Sequence, residues 1–121
     1  MAKRILVVDD SAAVRQSVSY VLDQAGYEIV QAVDGADALT KLDGSTFHLV
    51  ITDVNMPNMD GITLTGKIRT HDTYKLVPVV VLTTESQNDK MSAGKEAGAT
   101  GWIVKPFNSE KLLQVVKRLA G

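Results

Sequence analysis

The chain has no cysteine, which excludes disulfide staples, thiol catalysis and thiolate metal sites. Proline is scarce, with three residues in 121, and no tract rich in proline, glycine or serine divides the chain. Neither sign of charge is in excess: 13 Lys and Arg against 14 Asp and Glu leave a formal net charge of -1. Nothing electrostatic therefore favours nucleic acid or an anionic membrane as partner. Long apolar runs are also missing, and none approaches the about 20 residues of a spanning helix, so no membrane insertion is expected. Lys3–Arg4 before Ile5–Val8 has a superficial likeness to a signal peptide, but Asp9 and Asp10 end the run far too early. The expectation is one cytoplasmic domain, large enough to bury a core of its own.

What the chain does have is a regular alternation of short apolar runs and amphipathic segments. Ile5–Val8, Glu28–Gln31, His48–Thr52, Val77–Leu82 and Gly101–Val104 read as five strands. Most are continuously apolar rather than alternating, which suits parallel strands covered on both faces. Between the first two, Val14, Val18, Val21, Leu22 and Ala25 recur at helical spacing as a buried stripe, and Gly26 follows as a stop. A shorter helix opens after Asp34–Gly35 and is marked by Ala38, Leu39 and Leu42. Leu112, Leu113, Val116 and Leu119 mark the last helix, with Glu110 in its first turn and Lys117–Arg118 in its final turn, matching the macrodipole.

The two middle helices are weaker. Residues 61–70 contain Gly66, and an interior glycine costs about 1 kcal/mol against alanine. Residues 88–97 offer only Met91, Ala93 and Ala97 as apolar anchors, so this fourth helix is expected to be easily displaced.

Five β/α alternations imply a doubly wound α/β fold, a parallel sheet with helices on both faces. In such sheets ligands bind beyond the carboxyl ends of the strands, where strand order reverses. The polar residues that end the apolar runs are Asp9 and Asp10, Asp53, Thr83 and Lys105. On parallel strands they meet at one edge. Three carboxylates, a hydroxyl and an ammonium in one crevice make a metal-assisted phosphate site.

Val7–Val8–Asp9–Asp10, Asp53–Val54–Asn55–Met56–Pro57–Asn58–Met59–Asp60–Gly61, Leu82–Thr83–Thr84 and Val104–Lys105–Pro106–Phe107 together closely resemble the signature set of response-regulator receiver domains. The match runs in order over the whole chain and is nearest to the stand-alone chemotaxis, or CheY, type. The resemblance implies a flavodoxin-like sheet of order 2-1-3-4-5 with five helices. It also implies a single receiver domain over residues 1–121, without an effector domain and monomeric.

The resemblance further implies a role for each motif residue. Asp53 is the phosphoacceptor, whose carboxylate oxygen attacks a phosphoryl group to give an aspartyl phosphate. Asp10, Asp53 and the main-chain carbonyl of Asn55 ligate Mg²⁺ (or Mn²⁺), and Asp9 reaches the ion through water. Mg²⁺ suits such a site because it takes few protein oxygens and keeps waters and phosphate oxygens. Lys105 pairs with the carboxylates and later with a phosphoryl oxygen, Thr83 donates its hydroxyl to that group, and the Lys105–Pro106 bond is cis. Asn55 and Glu85 stand where the family tunes hydrolysis of the acyl phosphate. The blander alternatives are a turn-capping Asp53, an N-capping Asp pair, a surface lysine and a strand-ending threonine.

Two positions depart from the family pattern. Trp102 stands where Tyr, Phe or His is usual, and it is either the aromatic that swings inward on switching or a fixed packing residue. Thr84 stands where a small residue is usual. His48 and His71 carry no motif. The implied function is a phosphorelay regulator rather than a turnover enzyme. It takes its phosphoryl group from a histidine kinase or phosphotransfer protein and binds a downstream protein through residues 88–120. Three other classes compete. A Mg²⁺-dependent phosphohydrolase of the haloacid dehalogenase type wants an Asp where Asn55 stands. A flavodoxin-like flavin binder wants a phosphate loop where Asp9–Asp10–Ser11 would repel phosphate. A degenerate receiver would only bind partners.

Overall fold

The computed structural model describes residues 3–56, 58–84 and 88–120. Strands and helices alternate as β1 (Arg4–Val8), α1 (Ala12–Gln24), β2 (Glu28–Ala32), α2 (Gly35–Lys41), β3 (Leu49–Asp53), α3 (Gly61–Arg69), β4 (Val79–Thr84), α4 (Asn88–Ala97), β5 (Gly101–Lys105) and α5 (Ser109–Ala120). All strand pairs are parallel and form one sheet of order β2-β1-β3-β4-β5. This is the expected doubly wound, flavodoxin-like architecture.

The continuous apolar runs have the expected cause. Ile5 and Val7 of β1 face one core cluster with Leu22 of α1 and Leu112 and Val116 of α5. Leu6 and Val8 face the other, with Ala38 of α2 and Leu64 and Ile68 of α3. Each central strand is thus buried on both faces, as parallel sheets require.

The helices begin at the same edge of the sheet because each follows a parallel strand, and short polar side chains cap α1, α2, α3 and α5 there. Ser11 Oγ accepts from Val14 N at 3.3 Å and Asp34 Oδ1 from Asp37 N at 2.8 Å. Asp60 Oδ1 accepts from Thr63 N at 2.7 Å and Asn108 Oδ1 from Lys111 N at 2.8 Å. Each bond satisfies a donor that the first helical turn leaves open. At the other end of the sheet Arg69 ties two loops together, with Nε on Gly98 O at 2.8 Å and Nη1 on Val77 O at 2.7 Å.

Some boundaries differ from the sequence expectation. β4 runs Val79–Thr84 rather than Val77–Leu82. Pro78 has no N–H to give the ladder, and Val77 N closes a turn on Tyr74 O at 3.0 Å instead. β3 is shifted by one residue to Leu49–Asp53. Gly35 lies inside α2 as its first residue, and Leu42 is its C-cap. Ala25 is not part of the buried stripe of α1: it is the exposed C-cap, and the chain turns away at Gly26 with φ 94°. No described side chain of α4 is fully buried, and the side chain of Met91, named as an anchor of the fourth helix, lies outside the described residues. Among the described residues no helix is long and apolar enough to cross a membrane.

Candidate functional site

β1, β3, β4 and β5 are neighbours, and their carboxyl ends deliver Asp9, Asp10, Asp53, Thr83 and Lys105 to one edge. Asp9 follows β1 directly and is 1% exposed, whereas Asp10 is exposed and Asp53, the last residue of β3, is half-buried. One carboxylate oxygen from each of the three lies within 4.8 Å of the other two. The fold therefore brings Asp53 beside the adjacent Asp9 and Asp10, from which it is distant in sequence.

Lys105 ends β5 and reaches back into this cluster. Its Nζ donates to Asp53 Oδ1 at 3.0 Å and lies 3.7 Å from Asp9 Oδ2. Asp53 Oδ1 also accepts from Val54 N at 2.9 Å, which fixes the carboxylate against the loop that follows β3. Three carboxylates against one ammonium leave the cluster negative. Asp9 Oδ1 accepts from Ser11 N at 2.9 Å, but Asp9 Oδ2 is buried with no hydrogen-bond partner. A buried oxygen with no hydrogen bond, beside two further carboxylates, is a donor set that fits a divalent cation of the hard, oxygen-preferring kind.

Asp9 shows the electrostatic cost of the arrangement. Burial pushes its carboxyl above the ordinary carboxylate range, the Ser11 N–H opposes the rise, and the charge of Asp53 adds to it. A carboxyl with a raised native pKa binds its proton more tightly folded than unfolded. Its contribution to stability is thus greatest below the unfolded value of 3.8 and is lost as pH rises through the raised native value. At neutral pH the ionised form is a cost. Asp9→Asn should accordingly raise the metal-free melting temperature by roughly 3–5 °C, the equivalent of about 1 kcal/mol. The amide oxygen still accepts from Ser11 N. Mg²⁺ at ten times its dissociation constant should stabilise the native chain by about 1.4 kcal/mol, and the variant far less. Calorimetric melts with and without the ion check both, and a lower metal-free midpoint for Asp9→Asn would contradict the first.

The remaining expected residues fall into place unevenly. Thr83 is buried in β4, in register with Val104 beside Lys105. Asn55 follows Val54 on the exposed loop after β3. The Lys105–Pro106 peptide is cis, as expected. Trp102 is 38% exposed on β5, so its indole is directed outward here. Glu85 and the side chain of Thr84 lie outside the described residues. Neither histidine approaches the acids: His48 Nδ1 accepts from Arg4 N at 3.0 Å, and the His71 ring rests on Tyr74 at 4.8 Å.

Two residues near the site were read in the sequence only as part of motifs. Asp34 marked a helix start and Asn58 was one letter of the longest motif, yet their side chains meet at 2.9 Å. No spacing rule joins positions 24 apart; only the sheet order places the start of α2 beside the loop after β3.

The response regulator receiver domain family matches residues 5–117 of the chain. Chemotaxis protein CheY1 of Helicobacter pylori is 35% identical over 120 residues, which are 98% of this chain and 97% of that protein. Response regulator protein FleR of Pseudomonas aeruginosa is 43% identical over 121 residues, and this chain spans 25% of its length. The solved structure of chemotaxis protein CheY4 of Vibrio cholerae is 45% identical and superposes with a TM-score of 0.93, over 98% of this chain and 99% of that one.

Proposed function

The chain belongs to the response-regulator receiver domain family, and from that membership we propose that it is a CheY-type phosphorelay switch with Asp53 as its phosphoacceptor. The observation that carries this reading is Lys105 Nζ, 3.0 Å from Asp53 and 3.7 Å from Asp9 within a cluster of three carboxylates. An isolated turn-capping aspartate needs no such neighbours.

A carboxylate oxygen of Asp53 attacks the phosphorus of a partner's phosphohistidine, the P–N bond breaks, and the imidazole leaves. Phosphoryl transfer asks the protein for in-line positioning and neutralisation of charge rather than for covalent machinery of its own. Lys105 neutralises one oxygen of the transferred group and Thr83 donates its hydroxyl to another. Asp10, Asp53 and the Asn55 carbonyl, with Asp9 behind them, would hold Mg²⁺ (or Mn²⁺), which would supply the rest of the positive charge. An open apolar groove of about 450 Å³ lined by Ala13, Val14, Ser17, Val18, Pro106 and Phe107 flanks Lys105 and leaves room for a protein donor at this edge. Water then hydrolyses the acyl phosphate, with Asn55 and Glu85 tuning the rate.

The switch follows from what the new phosphate oxygens attract. They draw Thr83 and Lys105 inward and bias the neighbouring α4, none of whose described side chains is fully buried, between two arrangements. The surface over residues 88–120 then gains or loses a cytoplasmic protein target. Trp102 lies within this surface and gives a built-in signal.

Incubation with Mg²⁺ and a small acyl phosphate should add one hydroxylamine-sensitive phosphoryl group per chain and change Trp102 fluorescence. Mg²⁺ with beryllofluoride should change the fluorescence in the same direction. Steady release of phosphate from phosphomonoesters, without a stable labelled form, would instead make the protein a hydrolase.

A further inference from the structure

We propose that Asp34 and Asn58 are positioning residues for the divalent cation, acting through the loop that carries Asn55. The proposal rests on the Mg²⁺ reading above and adds two residues to it.

The loop between β3 and α3 is fixed firmly at both ends. Val54 N donates to Asp53 Oδ1 at 2.9 Å, and Gly61 N donates to Val54 O at 2.9 Å. Between these ends lies the segment that presents the Asn55 carbonyl. Met56 and Met59 pack against the core there, and Asn58 adds a side-chain hydrogen bond to another element, its Nδ2 donating to Asp34 Oδ2 at 2.9 Å. Asp34 is itself held, because its Oδ1 accepts from Asp37 N at 2.8 Å as the N-cap of α2. Both bonds keep its carboxyl below the ordinary range, so it is ionised as an acceptor.

Two further features show that the contact is built rather than incidental. Asn58 has φ 68°, in the left-handed region, which among residues with a side chain asparagine enters at low cost. Next to Asp34, Gly35 lies so close to the loop that a Cβ there would meet Met59 Cβ at 2.8 Å and Met59 O at 2.9 Å. The start of α2 is therefore shaped to receive the loop after β3. A carbonyl on a loop already ordered loses less conformational freedom on binding a cation than one on a loose loop.

Breaking the bond should leave the chain folded and weaken its hold on the ion. Asn58→Gly keeps the backbone conformation and removes only the side chain. It should weaken Mg²⁺ binding by a factor of about five to ten, the equilibrium equivalent of one hydrogen bond. The decisive variant is the exchange Asp34→Asn with Asn58→Asp. It has the charge of the native chain, keeps an oxygen at position 34 to cap α2, and restores the bond with donor and acceptor reversed. The exchange should return Mg²⁺ affinity to within about twofold of native, while Asn58→Asp alone, which sets two carboxylates against each other, does not.

Binding of Mg²⁺ alone is measured by calorimetry, with metal-free melts on every variant. Native affinity in Asn58→Gly, or no recovery in a folded double variant, overturns the proposal. If the native chain fails to bind Mg²⁺, the functional reading falls instead, so the two failures are distinguishable.

Discussion

Asp53→Asn should take up no phosphoryl group from a small acyl phosphate with Mg²⁺, under conditions in which the native chain labels. The reason is chemical. An amide has no anionic oxygen to attack phosphorus, and the other two acids are differently held. Asp9 is 1% exposed and its free oxygen faces Lys105 at 3.7 Å, while Asp10 is exposed and away from the Lys105 contact that marks Asp53. The fold should survive. Lys105 keeps Asp9 as a partner, and the substitution removes one charge from a cluster in which three carboxylates face one ammonium. The metal-free melting temperature should therefore be unchanged or higher, which separates loss of the nucleophile from loss of structure. Intact mass after incubation, with and without hydroxylamine, reads the labelling directly. Stoichiometric labelling of the variant would remove Asp53 from its proposed role.

Much of this arrangement was legible before any coordinates. Continuous apolar runs imply strands covered on both faces, and β1 divides Ile5 and Val7 from Leu6 and Val8 between the two cores accordingly. The acids, Thr83 and Lys105 stand at the ends of such runs, and parallel pairing brings all ends of one kind to one edge. Periodicity could not supply the order of the strands, which came from the family likeness and agrees with β2-β1-β3-β4-β5. Errors collected where local chemistry overrode the pattern. Val77 is as apolar as the residues after it, but Pro78 cannot join the ladder, so the strand starts later. Ala25 has the right spacing for a buried stripe, yet α1 has already ended.

The site was legible in composition and less so in electrostatics. Adjacent aspartates after a strand look equivalent on paper. In the fold one is buried with an oxygen that lacks a hydrogen bond and the other faces solvent. Burial is what makes Asp9 resist ionisation. The Asp34–Asn58 contact was hidden for another reason: it depends on how closely the start of α2 approaches the loop after β3, a distance no motif records.

Two glycines in α3, Gly61 at its start and Gly66 in its interior, should respond oppositely to the same substitution. Gly61 opens the helix against the backbone of Asp53: a Cβ there would lie 2.0 Å from Asp53 O and 3.1 Å from Thr52 Oγ1. Neither α3 nor β3 can yield easily, because Gly61 N is bonded to Val54 O and β3 is paired on both sides. Gly61→Ala should thus destabilise by about 3 kcal/mol, roughly a 10–15 °C fall in melting temperature. Labelling should fall with it even below the melting range, since Asp53 is the residue displaced. Gly66 meets nothing within 4 Å, and Gly66→Ala should stabilise by about 1 kcal/mol through helix propensity alone, with labelling unchanged. Melts and labelling of the two variants side by side separate the claims. Equal behaviour would mean that the close approach of α3 to Asp53 does not set the geometry of the site.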